Sequence, residues 1–214
     1  FLKLRIGTGT ENLDLEMKYP EEHFSLEEDD LRKILDNLVN DSKELNNVPI
    51  TVSFTEKYIS AIVGESPVIE KITYGLILQL ITYHSYDDLK LVFFTTEKKK
   101  SFWKFAKVLP HAWSDDKSVR YFATNPDDMK QISSHLEDVF KSRMYRESDQ
   151  NVNKNLDYTY HKPYYFIIVD NFKDAREIEI IKNILGQKMN VGFSVLILND
   201  KLTNLPNECM DFIC

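Results

Sequence analysis

Residues 58–67, Tyr58-Ile59-Ser60-Ala61-Ile62-Val63-Gly64-Glu65-Ser66-Pro67, decide how the rest of the chain is read. A mostly apolar run ends at a glycine and a short polar turn follows. Proline then stands where a helix can begin, because the N–H it lacks is one the first turn leaves unused. Beyond it Ile69, Ile72, Ile77, Leu80 and Ile81 make the stretch to His84 apolar nearly all round. That is the pattern of a helix laid on a sheet, with Ser66 as its expected cap. Strand, turn and helix in this order form the unit from which parallel sheets are built.

The same alternation continues toward the C-terminus. Leu89–Thr95 reads as a continuous apolar strand, Ser101–Leu109 as a short aromatic helix and Val119–Ala123 as another strand. Pro126–Arg146 is expected to be a long helix capped by Asn125, with Met129, Ile132, Leu136, Val139 and Phe140 as its buried stripe. Polar residues Glu147–Asn155 read as a loop. Tyr164–Val169 is the most apolar strand, Ala175–Leu185 a helix stopped by Gly186, Val191–Leu198 a strand, and Met210–Cys214 a short final one. Near-continuous apolar strands separated by helices imply a three-layer α/β fold with a mostly parallel sheet.

Toward the N-terminus the pattern differs. Ile50, Val52 and Phe54 alternate as a half-buried strand after Asn46-Asn47. Ser25-Leu26-Glu27-Glu28 has the form of a capping box, followed by Leu31, Ile34, Leu35 and Leu38 on one helical face. Leu2–Leu15 reads as short strands around a Gly7-Thr8-Gly9-Thr10 turn. The expected division is therefore a small α+β segment, 1–56, packed on an α/β domain, 57–214.

Composition excludes several classes. With 214 residues, 43% hydrophobic and 29% charged, the chain is neither disordered nor a disulfide scaffold. No apolar run approaches the roughly 18 residues of a membrane-spanning helix, so no direct membrane insertion is expected. The opening Phe1-Leu2-Lys3-Leu4-Arg5 resembles no signal peptide and reads as the start of a piece of a longer protein. Two cysteines, Cys209 and Cys214, fit a reducing, cytosolic setting, and five scattered histidines give no expectation of a structural metal. Net charge is -7, and Glu11–Asn46 alone holds 12 acids against 4 bases. Nucleic acid is not the expected partner, because the only dense basic cluster is Lys98-Lys99-Lys100 with Lys104 and Lys107 nearby.

In a parallel sheet, ligands bind beyond the carboxyl ends of the strands. Those ends carry Gly64-Glu65-Ser66-Pro67, Thr95-Thr96, Asp170-Asn171 and Asn199-Asp200. A strand running into a glycine turn and helix, with an apolar strand ending in aspartate about a hundred residues later, is the layout of a P-loop NTPase. Set against G-x-x-x-x-G-K-[ST] from Gly64, however, Ile69, Glu70 and Lys71 stand where glycine, lysine and hydroxyl are required. Lys71 is one position late, which turns it by roughly 100° on a helix. Asp170 has the position of the aspartate that supports magnesium, but Asn171 replaces a glutamate able to activate water. Asp170 also reads as an ordinary turn or capping residue. The candidate nucleotide-site residues are thus Gly64, Ser66, Lys71 and Asp170, with no catalytic or metal-binding residue assigned. No cofactor is expected for this stretch, and Mg-ATP is the one ligand the layout leaves open. No acyl-transfer triad is apparent, and paired acids such as Asp127-Asp128 are explained by capping.

Leu2–Thr10, the altered Gly64-Glu65-Ser66-Pro67 loop, Phe102–Trp113 with its Leu109-Pro110-His111, Phe166–Asp170 and Leu205–Cys209 together resemble the EssC/EccC family of type VII secretion, membrane-anchored FtsK/SpoIIIE-type ATPases. The resemblance covers essentially the whole chain. It implies a RecA-like, P-loop NTPase-type fold and a place between the transmembrane helices and the first tandem ATPase module. It further implies a cytoplasmic part of a membrane-bound hexameric motor that exports small helical-hairpin proteins, with the other ATPase domains and type VII membrane components as partners. Gly64 and Asp170 carry over from the family's motifs, whereas Glu70 and Asn171 break them. Three readings follow: a catalytically degenerate coupling module; a nucleotide-binding or ATP-hydrolysing module completed on assembly by Lys71 or a neighbouring subunit; and a docking surface for substrates or partners through Phe102, Trp103, Lys104 and Phe105. Against the last stands the usual fate of aromatic residues at helical spacing, which is to face a core.

Overall fold

A computed structural model describes residues 1–13, 34, 37, 44–149 and 161–214. Six strands form one sheet: β3 (Ile59–Val63), β4 (Leu89–Phe94), β5 (Phe122–Ala123), β6 (Tyr164–Val169), β7 (Phe193–Asn199) and β8 (Asp211–Ile213). Their order is β5-β4-β6-β7-β3-β8, and every neighbouring pair is parallel. The central strands β4 and β6 are buried along their whole length, which explains their apolar character; the one charged residue, Lys90 of β4, is itself buried and reaches Asp115 at 2.7 Å.

Among the described residues four helices lie between these strands: α1 (Ser66–Tyr83), α2 (Pro126–Asp149), α3 (Phe172–Ala175) and α4 (Glu179–Leu185). The crossovers from β3 to β4 and from β4 to β5 run one way across the sheet. Those from β5 through α2 to β6, and from β6 through α3 and α4 to β7, run the other way. Right-handed crossovers therefore place the two sets on opposite faces. Alternate strand residues Val92, Phe94, Ile167, Val169 and Val195 pack with Met129, Ile132 and Leu136 of α2 and Ile180, Ile181 and Ile184 of α4 in one core. Ile69, Leu76, Ile77 and Leu80 of α1 are buried outside that core, and Trp103 lies on the same other side, its ring 5.6 Å from that of Phe93. This is the three-layer arrangement expected.

At the amino end of the sheet a polar network replaces apolar packing. The Asn190 side chain accepts from the N–H groups of Gly192 (2.9 Å) and Phe193 (3.0 Å) and donates to the Thr55 carbonyl (2.7 Å) and the Tyr164 hydroxyl (2.6 Å). Ser194 joins Tyr164 at 2.6 Å and donates to the Phe54 carbonyl at 2.5 Å. From α2, the buried Arg143 donates to the carbonyls of Val191, Gly192 and Pro163 and lies over the rings of Tyr165 and Phe193. A Cβ on Gly192, whose φ is +84°, would collide with Arg143 and His161, so glycine is required at this approach.

The chain divides into two compact units, one of Phe1–Leu4 with Val52–Cys214 and one of Arg5–Thr51. Most of β1 (Lys3–Asn12) and β2 (Glu44–Ser53) falls in the second unit, and the two pair in a separate sheet, where the Thr10 hydroxyl donates to Asn46 at 2.8 Å. Gly7 to Thr10 is not a turn but strand. Glycine serves there for close approach, since a Cβ on Gly9 would stand 3.0 Å from Ile50. β2 starts before the expected boundary and takes in Asn46-Asn47, with Asn47 at φ +59°. The capping box at Ser25–Glu28 and the Leu31, Leu35 and Leu38 positions lie outside the described residues. Ile34 and Asn37 are helical, and Ile34 is exposed rather than buried.

Other boundaries also shift. Glu65, not Ser66, occupies the N-cap position of α1, and it makes no side-chain capping bond. The aromatic segment is a 3-10 helix, Phe102–Val108. The strand expected at 119–123 shrinks to Phe122–Ala123 because Arg120 instead bridges back to Trp113. α2 runs on to Asp149, so Glu147–Asp149 is helix where a loop was expected, and 150–155 lies outside the described residues. The helix expected over Ala175–Leu185 is broken where Ile178 turns extended and buries its side chain. Asn125 does cap α2, accepting from the Asp128 N–H at 2.9 Å. No helix among the described residues is long and apolar enough to cross a membrane.

Candidate functional site

The carboxyl ends of β4 and β6 lie side by side, so the residues that follow them meet. Asp170 follows β6, with its N–H donating to the Phe94 carbonyl at 2.8 Å. Its carboxylate is 2% exposed and accepts three bonds: Lys99 Nζ at 2.6 Å, Trp103 Nε1 at 2.9 Å and the Thr95 hydroxyl at 3.1 Å. All three donors come from the segment after β4. A buried carboxylate needs a cation and filled lone pairs, and here the chain supplies both from itself. Lys99, one-third exposed, takes one carboxylate oxygen, and Thr95 and Trp103 share the other.

Gly64 follows β3, and its N–H donates to the Asn199 carbonyl at the end of β7 at 3.2 Å. Because β7 lies between β3 and β6, Gly64 and Asp170 stand two strand spacings apart, about 9–10 Å. Only Gly64 and Glu65 separate β3 from α1, so six of the eight residues from 64 to 71 are already helix. The N–H groups of Val68 (2.9 Å) and Ile69 (3.1 Å) both donate to the Glu65 carbonyl, and Pro67 has none. A phosphate at a helix N-terminus is held by such N–H groups when they are free. Ile69, where a cradle requires glycine, is a buried core residue. Ser66 is exposed on the first turn of α1, and Lys71 is exposed one turn further on.

The structure thus brings Asp170 together with Thr95, Lys99 and Trp103, and not with Lys71. These three partners were missed as site residues, although signals existed: a threonine directly after an apolar strand, a lysine run and an aromatic segment. Pairing of β4 with β6, which joins them to Asp170, is not written in local spacing. In the basic-aromatic patch Trp103 is a core residue at 1% exposure. Phe102 and Phe105 are half-buried, and only Lys104 is fully at the surface. Phe105 packs edge-on against Tyr74 of α1, with ring centres 5.2 Å apart.

No family model matches the chain. The ESX secretion system protein YukB of Bacillus subtilis is 25% identical over 97% of this chain and 13% of its own length. The type VII secretion system protein EssC of Staphylococcus aureus is 23% identical over 97% of this chain and 14% of its own. The chain is similar to type VII secretion proteins over nearly its whole length. It spans about one-seventh of the length of these relatives. Among solved structures, EssC (ATPases 2 and 3) from Geobacillus thermodenitrificans superposes with a TM-score of 0.61 at 12% identity, over 100% of this chain and 38% of that one. The α/β fold with a parallel sheet is therefore that of the ATPase domains of these proteins.

Proposed function

We propose that the chain is a catalytically degenerate ATPase-like module of a type VII secretion motor. In this reading it lies on the cytoplasmic side, between the membrane helices and the active ATPase modules, and passes position or force between them within a hexameric assembly that exports small helical-hairpin proteins. The observation that carries it is the Asp170 carboxylate, filled by Lys99, Thr95 and Trp103. A site that must bind and release Mg-nucleotide keeps its aspartate open to the metal. The two-residue turn before α1, which leaves no loop to wrap a phosphate and puts the buried Ile69 where a cradle requires glycine, supports the same reading at the other half of the layout.

Calorimetric titration of Mg-ATP and Mg-ADP into the 214-residue chain tests it. No saturable heat at millimolar nucleotide is the expected result. Saturable binding that disappears in both Lys71→Ala, an exposed position, and Asp170→Asn would overturn degeneracy and restore a nucleotide site.

A further inference from the structure

A cavity of about 580 Å3 opens beside β5, the edge strand, between the 3-10 segment and the start of α2. Its walls carry both charges, but their states differ. Glu97 accepts from the Thr124 hydroxyl and from Lys100 Nζ at 3.0 Å, and these bonds hold its carboxyl below the ordinary range. Asp128 accepts from the Asn125 amide at 2.8 Å. Both acids are internally occupied. The cations Lys107 and Arg120 are different: Lys107 Nζ lies 4.7 Å from the centre of the Phe122 ring and the Arg120 guanidinium 4.4 Å from that of Trp113. Neither has a carboxylate within ion-pair distance among the described residues.

We infer that this cavity is a docking site for an extended acidic segment of a protein partner, with Arg120 and Lys107 as its carboxylate-binding groups. Ring faces under each cation hold it in place and give the stems of incoming side chains an apolar surface. Carboxylates fit better than a phosphate cluster. The N–H groups of Asp128 and Met129 at the start of α2 are already bonded to Asn125, which removes the helix-start donors a phosphate would use. Phe122 of β5 lines the cavity with its side chain beside Lys107, while its N–H is bonded to the Arg120 carbonyl, so an incoming segment meets side chains rather than a strand backbone. Nothing in this inference depends on the state of Asp170.

Fluorescence anisotropy with a labelled hexaglutamate peptide, a hexalysine control and pyrophosphate as competitor tests it on the 214-residue chain. The acidic peptide is expected to bind saturably and the lysine peptide not at all. Lys107→Glu with Arg120→Glu is expected to weaken binding on the order of tenfold or more. Reversal of the exposed Lys188 and Lys201, which changes net charge equally, is expected to leave it within about twofold. If the reversals unfold, Lys107→Gln with Arg120→Gln keeps most of each stem and reads the same loss. Absence of peptide binding, an equal loss in the Lys188 and Lys201 control, or displacement of the peptide by equimolar pyrophosphate would each overturn the inference.

Discussion

The two ends of the sheet solve the same problem by different chemistry. At the amino end Asn190, Tyr164, Ser194 and Arg143 are all buried, and most of the bonds they make go to backbone groups whose positions the strands fix. At the carboxyl end one carboxylate meets three side chains, and its cation is one-third exposed. The first network has nowhere else to go. The second depends on one charge, brought to a buried carboxylate by a lysine side chain that reaches in from the surface. Backbone acceptors set by the fold thus hold one end of the sheet, and a side-chain ion pair closes the other, the end where ligands bind in parallel sheets.

The sharpest way to break this comparison is to remove Arg143. Arg143→Met keeps the stem but takes the side-chain donor from the carbonyls of Val191 and Pro163, while that of Gly192 keeps the Tyr165 N–H, and is expected to cost about 3–5 kcal/mol. Urea denaturation followed by tryptophan fluorescence measures it. A loss below about 1 kcal/mol would show that the amino end is no more rigid than the other.

Lys99 gives the next largest effect and a sign test. Lys99→Met strands the buried Asp170 carboxylate with two neutral donors, an expected loss of about 2–3 kcal/mol. Lys99→Met combined with Asp170→Asn removes both charges, and at least half of that loss is expected to return, because an uncompensated buried charge costs more than a missing pair. Additive losses in the double-mutant cycle would mean that the ion pair is not what couples β6 to the segment after β4.

Most of the α/β core was legible because periodicity is local. Tyr164–Val169 reads as a buried strand and is one residue for residue, and Met129, Ile132, Leu136 and Phe140 form the buried stripe that their spacing predicts. What was not legible depends on neighbours distant in sequence. Gly7 and Gly9 read as turn residues but lie in a strand, and the approach of Ile50 shows why glycine stands at position 9. Asp170 was found as a candidate, but its reading as a free magnesium-side acid or a turn residue changed once β4 proved to be its neighbour. Lys99 stood inside a lysine run whose other members face solvent or, like Lys100, bond to Glu97 at the surface. Charge runs identify a face, whereas a salt bridge 71 residues apart requires topology.

The smallest expected effect concerns His84, at the end of α1 and toward the amino end of β4. Its Nδ1 lies 3.2 Å from the Leu80 carbonyl, and its own carbonyl contacts Nε2 of the buried His111 at 2.9 Å. Phe1 packs edge-on against the ring at 4.8 Å. Burial lowers the His84 pKa below its ordinary 6.5, so the folded state favours the neutral ring and the unfolded chain takes up a proton first. The contribution is then complete above about pH 6.5 and is lost as pH falls through the lowered folded value, with unfolding favoured because the unfolded state binds more protons. The expected loss is under about 1 kcal/mol, since the ring is only half-buried and solvent screens it. Thermal unfolding between pH 7.5 and 5 should show the midpoint falling less steeply in His84→Gln than in the parent. Parallel slopes in the two proteins would remove His84 from the pH response and leave the amino end's polar network independent of proton uptake at this ring.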